Sequence, residues 1–174
     1  DSEKELFHDS RGLQSNGTGY EYSTSYRWFF GSEERSITLL ISLLFPEEIK
    51  ESTYFSSVYQ IKPYAGKGYI IETDKILPII THHTGAFQML WPTLTMPEML
   101  SSKLEGHFQD YVDASLDFSY ANDLPGFLSA SYTNDTATAL VYRPDQGINE
   151  ISFDSTTLED VASIYTVGAA YPFR

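Results

Sequence analysis

The chain has 174 residues, no cysteine, and 24 acidic against 11 basic side chains, for a formal net charge of −13. A length near the usual domain size lets one unit bury roughly two-thirds of its unfolded surface, so a single domain over 1–174 is expected; the missing cysteine excludes disulfide frameworks, thiolate metal sites and a cysteine nucleophile. The charge repels phosphate and argues against nucleic acid or an anionic membrane as partner, while an aromatic content of 15% belongs to a folded body rather than a disordered acidic chain.

The first sixteen residues are polar, with Ser2-Glu3-Lys4-Glu5 able to open a short helix, and 1–16 is the segment expected to fray. From Tyr20 the pattern has period two: Tyr20, Tyr22, Thr24, Tyr26, Trp28 and Phe30 on one side, Glu21, Ser23, Ser25, Arg27 and Phe29 on the other. A turn at 31–35 leads to Ile37, Leu39, Ile41, Leu43 and Phe45 alternating with Thr38, Leu40, Ser42 and Leu44. Residues 19–45 are therefore predicted to form a long hairpin whose second strand is covered on both sides and ends at Pro46. That apolar run is about half of the roughly 20 residues a spanning helix needs, so no transmembrane segment is expected.

Shorter strands follow at Thr53–Lys62, Gly68–Thr73, Ile76–His82 and Ala86–Trp91, with Pro78 placing its strand at an edge or bulge. Thr95 can cap an amphipathic helix over about 96–114, with Met96, Leu100, Leu104, His107, Phe108 and Tyr111 on one stripe and Glu98, Glu105, Gln109, Asp113 and Asp117 opposite. Beyond it, Gly126–Thr133, Thr136–Arg143 and Ile148–Phe153 read as a meander, and Thr156 with Glu159 resembles a capping box for a C-terminal helix over about 157–166, stopped by Gly168.

The predicted class is mainly β, of the α+β kind: an antiparallel sheet or a small barrel with the 96–114 helix packed on it. Lipocalin-type barrels share the size and strand number, a likeness at the level of fold that carries no function.

Candidate chemistry is sparse. His82 and His83 are adjacent, but neighbours on a strand point to opposite faces, so they chelate one ion only across a kink, and no H-x-H or H-E-x-x-H spacing is present. His107, Asp110 and Asp113 step by three along the predicted helix, as a general base with an orienting carboxylate would. Asp110, Asp113, Asp117 and Asp123 supply oxygen ligands without a calcium-loop spacing. Nucleophile elbows, dinucleotide loops and phosphate loops are absent. No metal, cofactor or catalytic residue is assigned.

The aromatic row admits two readings, a sheet face in the core or a surface for a ligand. A core face is the commoner use of such a row; the need of buried hydroxyls for partners, four rings together, keeps a wet or ligand-lined side open beside it. The expected function is that of a non-catalytic binding or accessory protein taking a small apolar or carbohydrate ligand, or a protein partner, through Tyr20, Tyr22, Tyr26, Trp28, His82, His83 and Trp91. Two alternatives stand beside it. One is a small enzyme with a His and an Asp or Glu as acid–base pair; the other is a structural subunit whose strand 37–45 is covered by a neighbouring chain. The start at Asp1 and the sequons Asn16-Gly17-Thr18 and Asn134-Asp135-Thr136 suggest a processed chain in a secreted, periplasmic or organelle-lumen setting.

Overall fold

Leucine pairs at 39–40 and 43–44 fit a helix better than a strand, and the backbone follows them. The computed structural model describes residues 11–13, 20–22, 35–47, 60–72, 75–96, 105–136 and 139–173. Arg35–Leu44 is helix α1, where a strand over 37–45 is predicted. Ile37, Leu40, Ile41 and Leu44 recur at i, i+3, i+4 and i+7, and leucine is among the better helix formers. The hairpin over 19–45 therefore does not form. Tyr20–Tyr22 (β2) pairs instead with Arg11–Leu13 (β1), antiparallel, with Leu13 opposite Tyr20 and Arg11 opposite Tyr22. Three residues of the segment expected to fray are thus held in a ladder. Tyr26 and Trp28 lie outside the described residues.

The chain divides into two compact units, one made of 1–30 and 34–59, the other of 31–33 and 60–174. The first contains β1, β2 and α1. Its residues 37–44 are helical, so they do not supply the two-sided strand that the structural-subunit alternative requires, although Ile37, Leu40, Leu43 and Leu44 of α1 are exposed.

The second unit is a mixed α+β body built on short antiparallel pairs. Gln60–Ile61 (β3) pairs with Ile79–Ile80 (β6), and Tyr64–Ala65 (β4) with Lys75–Ile76 (β5). Phe127–Leu128 (β7) pairs with Ala162–Ser163 (β10), and Ser131–Thr136 (β8) forms a hairpin with Ala139–Arg143 (β9) whose register shifts between Asn134 and Thr136. Each sheet among the described residues has two strands, so neither a closed barrel nor a lipocalin-like one is present there.

Several elements differ from the expected ones for identifiable reasons. The 68–72 segment is a bend because its amides turn inward to Asp117 instead of joining a ladder. The predicted strand 76–82 is split at Leu77-Pro78, where proline has no N–H to donate. Ala86–Leu90 is helix α2, not a strand, and runs into a 3-10 turn at Pro92–Leu94. A proline tolerated in the first helical turn explains that continuation. Thr95 ends this turn, and residues 97–104, over which the long helix is predicted to begin, lie outside the described residues.

That helix, α3, spans Glu105–Ala121, seven residues further than predicted at its C-terminal end. Phe108, Tyr111, Val112, Ser115 and Ser119 form its buried stripe and face β6 and β7. Asp117, expected on the solvent face, is fully buried. Asp123 closes the helix with a left-handed φ of 52°, and the Leu124 amide donates back to Ser119 O at 2.9 Å, the bond pattern of a Schellman stop.

In place of the third meander strand, Asn149–Ile151 is a 3-10 turn. The helix predicted over 157–166 is shifted to Tyr165–Ala169 (α4), and Gly168 lies inside it. Glu159 does not close a capping box; its carboxylate accepts from the Asn149 amide at 2.7 Å. The core gathers Tyr64, Ile79, Met89, Leu90, Phe108, Tyr111, Phe127 and Ile151. Each large side chain so buried contributes roughly 1.5–3 kcal/mol. No described helix is long and apolar enough to cross a membrane.

Candidate functional site

Two regions of the second unit hold side chains that the fold leaves available to a ligand. The first is an aromatic groove. Helix α2 carries Phe87, and the residue after it, Trp91, stacks on that ring with centroids 5.8 Å apart and planes at 24°. Across the groove, β9 presents Tyr142 and α4 presents Tyr165; together with Ala130 these residues line about 350 Å³. Tyr132 stands opposite Tyr142 in the hairpin register, and their rings approach to 5.2 Å. Trp91 is 53% exposed and Tyr142 52%, so the rings are offered to solvent and not consumed by the core.

The groove walls are tied at one residue. Ser129 Oγ accepts from the Phe87 amide at 3.0 Å and lies 2.8 Å from the Tyr165 hydroxyl, which is itself 3.4 Å from Ala130 O. The β7–β10 pair sets this distance, since Thr166 at the start of α4 accepts from the Phe127 amide at 2.9 Å.

The second region is a turn at 81–84. Thr84 is a β-branched residue with φ 56°, a left-handed conformation such residues rarely adopt. Its hydroxyl accepts from the Thr81 amide at 3.1 Å and sits 2.9 Å from Thr81 O and 3.0 Å from Ile151 O, while Tyr111 donates to Thr84 O at 3.1 Å. The amides of Phe153 and Asp154 donate to His82 O at 3.0 and 2.8 Å, and Ser152 Oγ donates to His83 O at 2.6 Å. A Cβ on Gly147 would overlap the His83 carbonyl oxygen, so only glycine lets the 145–147 segment lie this close.

The bend brings the two imidazoles to the same side. Their rings stack at 4.9 Å and 17°. His82 Nδ1 is 3.4 Å from Asp154 Oδ2, and His83 Nε2 is 3.3 Å from Asp145 Oδ1. Asp154 is held by an Asx turn, its Oδ1 accepting from both the amide and the hydroxyl of Thr156 at 2.7 Å. Those two hydrogen bonds, with the neighbouring imidazoles, keep its carboxyl below the usual range.

The other candidates are occupied in structural bonds. His107 Nδ1 meets Leu77 O at 2.6 Å, and Asp110 accepts from the Leu77 amide at 2.8 Å, so both anchor the chain after β5. Asp113 accepts from Gln109; burial raises its carboxyl above the ordinary value. Asp117 is buried beneath the 66–71 loop and Asp123 stands exposed at the helix stop, so these carboxylates do not gather as a calcium site.

Of the residues singled out in the sequence, Trp91 lies in the groove and His82 and His83 share the turn. Tyr20 and Tyr22 lie on β2 in the first unit. Phe87, Tyr142 and Tyr165 were missed because each stands apart in the sequence, on three separate elements. The Tyr132–Tyr142 hairpin pair was the one local signal of them. Comparison with models of known protein families and with curated proteins gave no match, so the geometry alone carries the functional reading.

Proposed function

We propose that this chain is a non-catalytic, exported binding module whose aromatic groove takes a ring of a neutral carbohydrate. The carrying observation is the stacked Phe87–Trp91 pair, its Trp91 ring half-exposed, facing Tyr142 and Tyr165. Aromatic faces pack on the C–H face of a sugar, and tyrosine hydroxyls supply the polar handle. An open groove with the Tyr165 hydroxyl beside Ser129 favours a hydroxylated ligand over a purely apolar one, which gains from an enclosed dry site. The exposure of Asn134 on β8, within a sequon, supports export.

The test is calorimetric titration of the intact chain with a panel of neutral oligosaccharides. Binding is expected to weaken at least tenfold in Trp91→Ala and in Tyr142→Ala, with the far-UV circular dichroism unchanged. A panel without a binder, or a Trp91→Ala variant with full affinity, refutes the reading.

A further inference from the structure

A nitrogen of His82, a nitrogen of His83 and a carboxylate oxygen of Asp154 all lie within 4.8 Å of one another. Adjacent histidines achieve this only because the 81–84 backbone is bent and bonded on both sides, to Ile151, Ser152, Phe153 and Asp154. We propose that His82, His83 and Asp154 form a binding site for a first-row divalent transition-metal ion, with zinc as the reference ion.

The donor set selects the metal class. Two imidazoles and one carboxylate suit zinc, copper and nickel, whereas calcium and magnesium take oxygen ligands. Three protein ligands leave a coordination position for water or a substrate, unlike the four of a closed structural zinc site.

The surroundings are arranged as a ligand shell needs. The Thr156 bonds to Asp154 Oδ1 leave Oδ2 turned toward His82. Both ring nitrogens of His83 have neighbours, Thr157 Oγ1 at 3.1 Å from Nδ1 and Asp145 at 3.3 Å from Nε2. Whichever nitrogen meets the ion, the opposite one keeps a hydrogen-bond partner, the usual device for fixing a metal-bound imidazole. Tetrahedral zinc ligands stand about 3.4 Å apart at the usual bond lengths, so the three groups must draw in slightly. His82 is exposed, with its ring stacked on His83 and edge-on to Phe153.

The metal-stripped, untagged 1–174 chain titrated with zinc should bind one ion saturably and show a raised midpoint of thermal unfolding. Asp154→Asn retains an oxygen for Thr156, so the turn persists while the anionic ligand is lost; zinc affinity should fall at least tenfold. His82→Ala, which removes a ring that also meets His83 and Phe153, should do the same with the far-UV circular dichroism unchanged. Absence of saturable zinc binding, or full affinity in both variants, overturns the proposal. Oligosaccharide titration of the same variants reads the groove separately and is expected to be unaffected.

Discussion

Asp117 and Asp154 are both carboxylates held below the usual range, and they reach that state in opposite settings. Asp117 is fully buried on α3. Its Oδ1 accepts from the amides of Tyr69, Ile70 and Ile71 at 2.9, 2.7 and 3.2 Å, and its Oδ2 from the Lys67 amide and the Tyr64 hydroxyl at 2.5 and 3.2 Å. Burial alone would raise its carboxyl; the four amides outweigh it and lower it. Asp154 commits one oxygen to Thr156 and leaves the other facing an imidazole. A carboxylate whose lone pairs are all taken by the chain is a structural anchor, whereas one with a free oxygen beside two histidines retains chemistry for a ligand.

This contrast makes opposite demands on stability. Asp117→Ala orphans five donors and should cost about 4 kcal/mol, read from urea unfolding; a loss below about 1 kcal/mol would show that the 66–71 loop does not depend on it. Because the carboxyl of Asp117 is lowered in the folded chain, its contribution is complete above the unfolded value of about 4 and is lost as pH falls through the lower folded value. The difference in unfolding midpoint between wild type and Asp117→Asn should therefore shrink from about pH 4 downward, and a constant difference would deny the charge its role. Gly147→Ala drives a methyl into the His83 carbonyl and should cost about 2 kcal/mol, with zinc affinity reduced as the turn shifts. The smallest effect belongs to Asp154→Asn without metal, which keeps an oxygen for Thr156 and should lower the thermal midpoint by less than Gly147→Ala does; a larger drop would make Asp154 an anchor like Asp117.

Legibility in the sequence followed the range of the interactions involved. An antiparallel pairing near 131–143 was readable because its two strands are adjacent and rich in β-formers, but the predicted strand 126–133 is divided between β7, which pairs with β10, and β8, and Asn134-Asp135 lies within β8 where a turn was expected; the existence of the long helix was readable from the spacing of Phe108, Tyr111 and Val112. The apolar run at 35–44 was misread because alternating and helical periods both fit Ile37, Leu39, Leu40 and Ile41 over so short a window. The density of rings at 20–28 drew attention to one segment, while the groove was assembled from α2, β9 and α4. Asp117 looked like a solvent-facing residue since its partners lie 46 to 53 positions away.

Residue chemistry alone settled the acidic composition, the exclusion of thiol chemistry and the presence of both helical and antiparallel elements, since these depend on composition and on neighbours a few positions apart. The meeting of His82 and His83 on one side, the closing of a loop over Asp117 and the gathering of four rings into a groove depend on hydrogen bonds and packing between distant segments. A left-handed threonine shows why local rules could not foresee them: Thr84 holds a conformation its own side chain disfavours because bonds from Tyr111 and to Ile151 over-determine it.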